Sequence, residues 1–486
     1  MSCIIGIDIG TTHTKAVAFG QDGVVLAVAA RSYEAVQDGK GKHELEPAVL
    51  VASVLAVLKE VGSRVEGIAG VSLSCAMHSL IAVDVEGKPL TNAITWADLR
   101  SERYATALKL SEAGRAIYRH TGTPIHPMSP LAKIIWLREE RPAVFERAAR
   151  FVSIKEYLWW KLFGRWEVDH SIASATGLFD IYTLDWYGGA LQAAGIGAER
   201  LSVPVPCGYV ARGAAQVREM GLPADLPFVI GGSDGCLANL GSGALRAGET
   251  ALTIGTSGAI RMSVGSPEYD AGERIFNYVL VPGLYVSGGA TNNGGVVLQW
   301  WLDKMTQGGK TIEVLMEEAA GVGAGSEGLI CLPYLHGERA PIWDAEAKAV
   351  FFGVHAGHGQ AHFVRAIMEG ICYSMYQIGM VLEERVGPVK HIVASGGFTK
   401  SAVWLQMMAD IFQREVWVME GADASAVGAA MLGMHALGLL PVLEDGVGLL
   451  RRGAVYVPDA GRHGVYAARF GVFAALYERV KGLMGA

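Results

Sequence analysis

Asp8 stands at the end of the apolar stretch CIIGIDI, and Gly10, the hydroxyls of Thr11, Thr12 and Thr14, and Lys15 follow it. A tight turn built from glycine and small hydroxylated residues exposes backbone N–H groups. With the hydroxyls, these can cradle phosphate oxygens. Lys15 adds a positive charge to that cradle. Asp8 repels phosphate, so its chemistry is different: one or two carboxylates suffice to hold a Mg²⁺ that keeps several waters and bridges to phosphate. The other reading is a plain hairpin with an incidental acid. A near-echo, ALTIGTSGAIRMSV at 251–264, favours the cradle. Its turn is Gly255-Thr256-Ser257-Gly258, and Thr253 occupies the place of the acid. Two cradles with one acid between them suit two facing halves that close on one nucleotide.

A second acid, Asp234, lies in VIGGSDGCLANLG, where a glycine-rich strand end meets an apolar helical pattern. Two readings stay open. An acid there caps a helix N-terminus, or it is a general base exposed by small neighbours beside a substrate hydroxyl. Gly396 and Gly397 in ASGGFTKSAVWLQMMAD form either a tight strand-to-helix turn or a backbone surface for a flat purine. Gly294, Gly295 and Gln299 in GGATNNGGVVLQWW can reach a nucleotide in the same way. His78 follows a buried strand, VEGIAGVSLSC, at the carboxyl end where ligands of open α/β sheets bind. A satisfied core histidine is its alternative. The cluster His355, His358 and His362 has no cysteines or acids near it in sequence and reads as a loop entering a helix.

The elements that must hold these groups recur in order. Residues 3–33 read as a three-stranded meander, 47–62 as a helix with Pro47 in its first turn, and 65–75 as a buried strand. HSLIAVDVEGKPLTNAITW reads as strand–turn–strand, and 99–118 and 129–141 as helices. From residue 249 the order returns: a hairpin around a Gly-Thr turn, a strand running into a helix, a strand near 330, a helix over 361–386, then strand and helix at 391–412. The join lies near 243–250, which predicts an α/β protein of two large domains, 1–245 and 246–486.

At 486 residues the chain exceeds one ordinary core. A net charge of −7 argues against a nucleic-acid surface. The longest apolar tract, AVGAAMLGMHALGLLPVL, carries glycines, His435 and Pro441, so it reads as a buried helix, not a membrane span. No basic leader precedes the first strand, and the six cysteines are scattered without a C-x-x-C pair. These features predict a cytoplasmic protein with idle thiols, acting on a small molecule, with neither nucleic acid nor membrane as partner.

Asp8 with its GTT, GGSDG, TIGTSG, LPYLHGERAP, AIMEG and ASGGFTKSAVWLQMMAD together resemble the FGGY family of carbohydrate kinases, in order and spacing over essentially the whole chain. The resemblance implies two actin-like, RNase H-like domains with ATP and sugar meeting in the cleft between them. It implies a catalytic base at Asp234 and, at Asp8, support for Mg²⁺–ATP through water. Thr12 and Lys15 match the first phosphate hairpin and Thr256 the second. Gly295, Gln299, Gly397 and Ser401 match nucleotide contacts, and Met77 with His78 matches a sugar-recognition turn. Within the family, AMHSLIAVD, ITWADLRS, GTPIHPMSPLAKI, KEYLWWKLFG and DHSIASATG resemble the gluconate kinases most, then the xylulokinases, which share Met77-His78 and the Trp96-x-Asp98-x-Arg100 pattern. Glycerol kinases carry Arg-Glu in place of Met77-His78. A carboxylate substrate needs a cation or strong donors, for which Arg100, His78 and His126 are the candidates. Trp96, Asp98 and Asp234 are those for polyol hydroxyls. The expected reaction is γ-phosphoryl transfer from ATP to the terminal hydroxyl of an open-chain sugar or sugar acid, D-gluconate to 6-phosphogluconate, with D-xylulose as the alternative substrate. An actin-like ATPase and a non-catalytic sugar-binding regulator are the readings from other classes. Homodimers are common in the family.

Overall fold

The computed structural model describes residues 2–484 apart from 307 and 422. The opening meander forms as expected: β1 (Cys3–Ile9), β2 (His13–Gly20) and β3 (Val25–Ser32) pair antiparallel in sequence. The helix α1 (Pro47–Gly62) covers one face with Leu50, Val54, Val57 and Val61. β4 (Ile68–Cys75) then pairs parallel to β1. A long excursion follows, holding α2 (Pro130–Glu140) and α3 (Ile154–Phe163). The chain returns through β5 (Val210–Ala211) and β6 (Phe228–Ser233) into α4 (Asp234–Gly241). The sheet order is β5-β6-β4-β1-β2-β3.

The second half rebuilds this sheet. β7 (Glu249–Ile254) and β8 (Gly258–Val264) form the echo hairpin, and β9 (Phe276–Val281) and β10 (Leu284–Thr291) extend it. After α5 (Gly295–Met305) and the long α6 (Gln360–Arg385) come β11 (His391–Ser395), α7 (Ala402–Phe412), β12 (Glu415–Glu420), α8 (Ala424–Ala436) and β13 (Arg451–Tyr456). The order β9-β10-β8-β7-β11-β12-β13 repeats the first sheet with one strand, β9, added at the edge. β7 and β11 run parallel, as β1 and β4 do.

The halves exchange their last helices. α8 lies on the first sheet, and α4 packs against β7, β8 and β9 of the second. Glycines permit both contacts. A Cβ on Gly6 of β1 would lie 1.9 Å from the Ala426 carbonyl oxygen of α8. Where the two helices cross, a Cβ on Gly428 would lie 1.9 Å from the Leu237 oxygen, and one on Gly241 would lie 1.9 Å from the Ala424 oxygen. One buried cluster joins the halves, with Ile4 and Phe19 of the first sheet, Leu237 and Leu240 of α4, Tyr278 of the second sheet, and Val427 and Met431 of α8.

Three local expectations change. The 99–118 helix is two, Glu102–Lys109 and Glu112–Thr121, because Ser111 accepts the Gly114 N–H as a cap and starts a new helix. In the 79–96 stretch, Ile81–Val83 pairs with Arg150–Val152 and Ala93–Ile94 with His43–Leu45, so long-range partners replace most of the hairpin. The apolar tract at 426–443 is helical only as far as Ala436 and continuously buried only as far as Met434, before Gly438 and Pro441. No helix among the described residues is long and apolar enough to cross a membrane. The six cysteines are buried and unpaired.

Candidate active site

Corresponding strand ends of the two sheets carry the two turns. Asp8 pairs across the ladder with Ser74, whose hydroxyl donates to its Oδ1 at 2.6 Å. In the second half Thr253 pairs with Ser395, and their hydroxyls meet at 2.8 Å. The echo thus keeps the hydroxyl partner and exchanges the acid for a neutral group. In the first turn the Gly10 N–H donates to the His13 oxygen at 3.0 Å, and Tyr33 Oη donates to the Gly10 oxygen at 2.6 Å. Thr12 is exposed and Thr11 half-buried, and the Thr12 hydroxyl shares a 3.0 Å hydrogen bond with His13 Nδ1.

The second turn is seated on the head of α5. The Gly295 N–H donates to the Gly255 oxygen at 2.7 Å, and those of Gly294 and Val296 to Thr256. Gly396 has φ +95°, and a Cβ there would sit 2.4 Å from the Ile254 oxygen, so only glycine lets the β11–α7 turn reach the end of β7. The three stretches singled out for a nucleotide, at 253–258, 288–301 and 394–410, therefore converge beside Gly255. Gly397 is exposed there. Ser401 caps α7 by accepting the Trp404 N–H, and the Gln299 amide donates to Asp303 at 2.8 Å.

Asp234 is the first residue of α4, with Ser233 as the cap. The capping role offered to Asp234 falls to Ser233, which leaves the Asp234 carboxylate outside the cap. Its Oδ1 accepts the Gly235 N–H at 2.8 Å. Burial pushes the carboxyl upward, against Arg261 and backbone N–H groups. The strand end that carries it is held by Lys155, whose ammonium donates to the Gly232 oxygen and pairs with Asp169 at 2.6 Å, both side chains buried.

A third acid, Asp423, joins this pair. It caps α8 through the Ser425 and Ala426 N–H groups and forms an ion pair with Lys15 at 3.2 Å, so the lysine of the first cradle is tied across the halves. Burial, then the charges of Asp423 and Asp234, hold the Asp8 carboxyl well above the usual carboxylate range, while Ser74 and Lys15 pull it down. Lys15 answers Asp423 and Arg261 answers Asp234, so Asp8 is the acid of the three left to face a divalent cation. The signal for Asp423 was the repeat itself: it follows β12 as Asp234 follows β6.

On the other side of Asp234 the excursion brings Met77 and His78. A Cβ on Gly235 would lie 2.9 Å from Met77 Cε. His78 has φ +65°, and Lys133 of α2 fixes that conformation by donating to the His78 and Met128 oxygens. Burial brings Lys133 down to about 7. His78 Nδ1 donates to the Ala175 oxygen at 2.7 Å, so Nε2 keeps its lone pair, facing Tyr278. Burial pulls the His78 imidazole down to about 3, and it also drives His126 far below its ordinary value. Both are neutral near pH 7. They offer hydroxyl partners, not the cation expected of them. His126 Nδ1 accepts the Met128 N–H, which leaves a proton on Nε2, buried and without a partner.

Arg100 is not a free cation either. Its guanidinium donates to Asp98 at 2.7 Å and to Glu44 at 2.6 Å, and it stacks on Trp136. Asp98 is committed to Arg100 and to the His43 N–H. Trp96 does reach the site: Arg339 lies over its ring at 5.0 Å. Two guanidiniums that sequence reasoning missed, Arg261 and Arg339, stand nearest Asp234. Away from this site, Glu327, His355 and His358 place ligand atoms within 4.8 Å of one another. There both histidine Nδ1 atoms accept backbone N–H groups, so the ring protons sit on Nε2.

Residues 3–241 match the N-terminal domain of the FGGY family of carbohydrate kinases, and residues 250–437 its C-terminal domain. A gluconokinase of Bacillus subtilis (strain 168) is 42% identical over 451 residues, 90% of this chain and 88% of that one. A xylulose kinase of the same organism is 30% identical over 494 residues, 99% and 98% of the two chains. The crystal structure of gluconate kinase from Lactobacillus acidophilus superposes with a TM-score of 0.95 at 33% identity, covering 100% of this chain and 99% of that one. The expected α/β architecture of paired actin-like sheets is that of these structures. With both domain models matched over most of the chain, the protein belongs to the FGGY family of carbohydrate kinases and is an ATP-dependent sugar kinase.

Proposed function

We propose that the protein phosphorylates D-gluconate to 6-phosphogluconate, with Asp234 as general base. The observation that carries the reading is the place of Asp234. It heads α4 between the acids of the phosphate side and the Met77–His78 turn, with its carboxylate uncommitted to capping. The gluconokinase relatives support the choice of gluconate.

In this mechanism the triphosphate lies between the Gly10–Thr12 turn and the Gly255–Thr256 turn. The base of the nucleotide rests near Gly295 and the Gly396–Gly397 turn. Asp8 would hold a hydrated Mg²⁺, which supplies charge neutralisation to the phosphates. The terminal hydroxyl of the sugar acid gives its proton to Asp234, and its oxygen forms the new bond to the γ-phosphorus as the bond to ADP breaks. Upward-shifted by burial, Asp234 is a better proton acceptor than an exposed carboxylate. His126 Nε2–H, buried and without a partner, donates to a substrate hydroxyl. Closure of the halves excludes water as a competing nucleophile. The protein acts in the cytoplasm as a monomer or homodimer, which light scattering resolves.

ADP release measured with D-gluconate, D-xylulose, L-ribulose and glycerol tests the reading. Gluconate is expected to give the highest kcat/KM, and Asp234→Asn to lower kcat by about 10²–10⁴-fold while ATP still binds. Xylulose as the better substrate overturns the choice of sugar. Sugar-independent hydrolysis overturns the kinase reading in favour of an ATPase. Near-normal turnover in Asp234→Asn removes that residue from the role.

A further inference from the structure

We propose that Arg261 and Arg339 form the subsite that recognises the substrate's carboxylate, and so set the preference for a sugar acid over a neutral sugar. The inference rests on the reading of the site as a gluconate kinase and names the residues that would make it one.

Arg261 lies in the middle of β8, on the strand face shared with Ala259 and Ser263, which packs against α4. Its guanidinium runs along the first turn of that helix. A Cβ on Gly235 would meet Nε at 3.0 Å and Nη2 at 3.2 Å. Nε and Nη1 are buried, and neither has a hydrogen-bond partner among the described residues. Arg339 follows Glu338 in the HGERAP stretch. Its Nη2 donates to the Thr291 oxygen at 3.0 Å, its Nε is buried and without a partner, and its guanidinium covers Trp96.

Buried guanidinium N–H groups are costly to leave unpaired. The acids nearby do not pair them. The Glu338 carboxylate accepts instead from the Thr291 hydroxyl, the Asn292 and Arg339 backbone N–H groups and the Asn293 amide. Asp234 accepts from the Gly235 N–H. Two cations with unspent donors thus face one uncommitted carboxylate. Their neighbours are Met77, His78, Tyr278 and Trp96, the sugar side. The acid–lysine group around Asp8 belongs to the phosphate side. A planar fork of N–H donors matches a carboxylate in geometry as well as charge. Among the described residues Arg100 spends Nε and Nη2 on Asp98 and Glu44, His78 and His126 are neutral, and Lys133 donates to two backbone oxygens, whereas Arg261 and Arg339 keep buried guanidinium donors unpaired.

D-Gluconate and D-glucitol isolate the carboxylate, because they differ only at C1. Steady-state kinetics with both sugars, on wild type, Arg261→Gln, Arg261→Lys and Arg339→Lys, test the subsite. Wild type is expected to prefer gluconate by at least about 10²-fold in kcat/KM. Arg261→Gln should lose most of that ratio, chiefly through gluconate KM, with the ATP KM within about threefold of wild type. The lysine variants, which keep the charge but lose the fork, should fall between. An equal loss on both sugars overturns the subsite and assigns Arg261 to Asp234 or to the moving phosphoryl group. An unchanged ratio in every variant overturns it as well. Wild type that shows no preference for gluconate overturns the function reading itself, and the subsite with it. Thermal melts of each variant separate these outcomes from misfolding.

Discussion

Gly428→Ala places a single methyl group far from any reacting atom, at the crossing of α4 and α8. Its Cβ would fall 1.9 Å from the Leu237 oxygen, 2.7 Å from the Leu237 carbonyl carbon and 2.9 Å from the Gly241 nitrogen, where ordinary contact begins at 3.4 Å. All three are backbone atoms of α4, so no side chain can swing away and the helices must part by about 1.5 Å. Each helix carries an acid of the site at its head, Asp234 on α4 and Asp423 on α8. A misplacement of about 1 Å between reacting groups costs on the order of 10²-fold in rate. Overpacking a tight contact costs about 1–3 kcal/mol, sometimes more. Because α8 also rests on Gly6, its shift loosens the first sheet too. The expected variant is folded, melts several degrees lower, and has kcat reduced by about 10²-fold with a smaller change in the ATP KM. The assay is ADP release at saturating gluconate beside a thermal melt. A variant with kcat within about threefold of wild type refutes the claim that this crossing fixes the distance between the acids.

Asp8→Asn should abolish turnover yet raise the melting temperature of the ligand-free protein. The folded state holds the Asp8 proton more tightly than the unfolded chain, whose value is near 3.8, so its contribution to stability falls as pH rises through that window. The gap between variant and wild type should therefore widen from pH 4 towards neutrality in melts followed against pH, and a variant that melts lower at pH 7 contradicts this. Lys133→Met removes the donors that hold the His78 and Met128 oxygens, each worth about 1–3 kcal/mol when left buried and unpaired. Its main kinetic effect should be a higher KM for the sugar, since His78 loses its enforced left-handed conformation. Wild type should also gain stability between about pH 7 and 10.5, where the unfolded lysine keeps a proton that the folded one has lost, and the variant should not.

The turns proposed to hold phosphate were legible in the sequence as local structure, because turn chemistry is local. Asp8, Gly10, Gly255, Thr256 and the Gly396–Gly397 pair announced themselves through glycine, hydroxyl and acid spacing, and the duplicated order of strands located the halves. On the proposed sugar side Met77, His78 and Trp96 were legible, and the rest was not. Arg261 lies in a strand where nothing in its neighbours distinguishes it, and it matters only because β8 faces the head of α4 across the halves. Arg100 looked like a free cation, since its partner Glu44 lies 56 positions away. The neutral state of His78 and His126 is a product of burial by several segments and has no signature in a short stretch. Asp423 was readable only by carrying the repeat one element further than the turns.

The exchange of α4 and α8 also sets an order of events on the ribosome. The first sheet is complete in sequence at Ser233, but the helix that covers Ile4, Gly6, Gly70 and Ser72 ends at Ala436, close to the C-terminus. At about 5–20 residues per second, the nascent first half waits on the order of ten to forty seconds with that face uncovered. It cannot mature as a free-standing unit, and a chain cut after the first half would present the same bare face to whatever sticks to it. A stall or truncation between residue 241 and the start of α8 at Ala424 therefore yields an adhesive fragment instead of a half-active one.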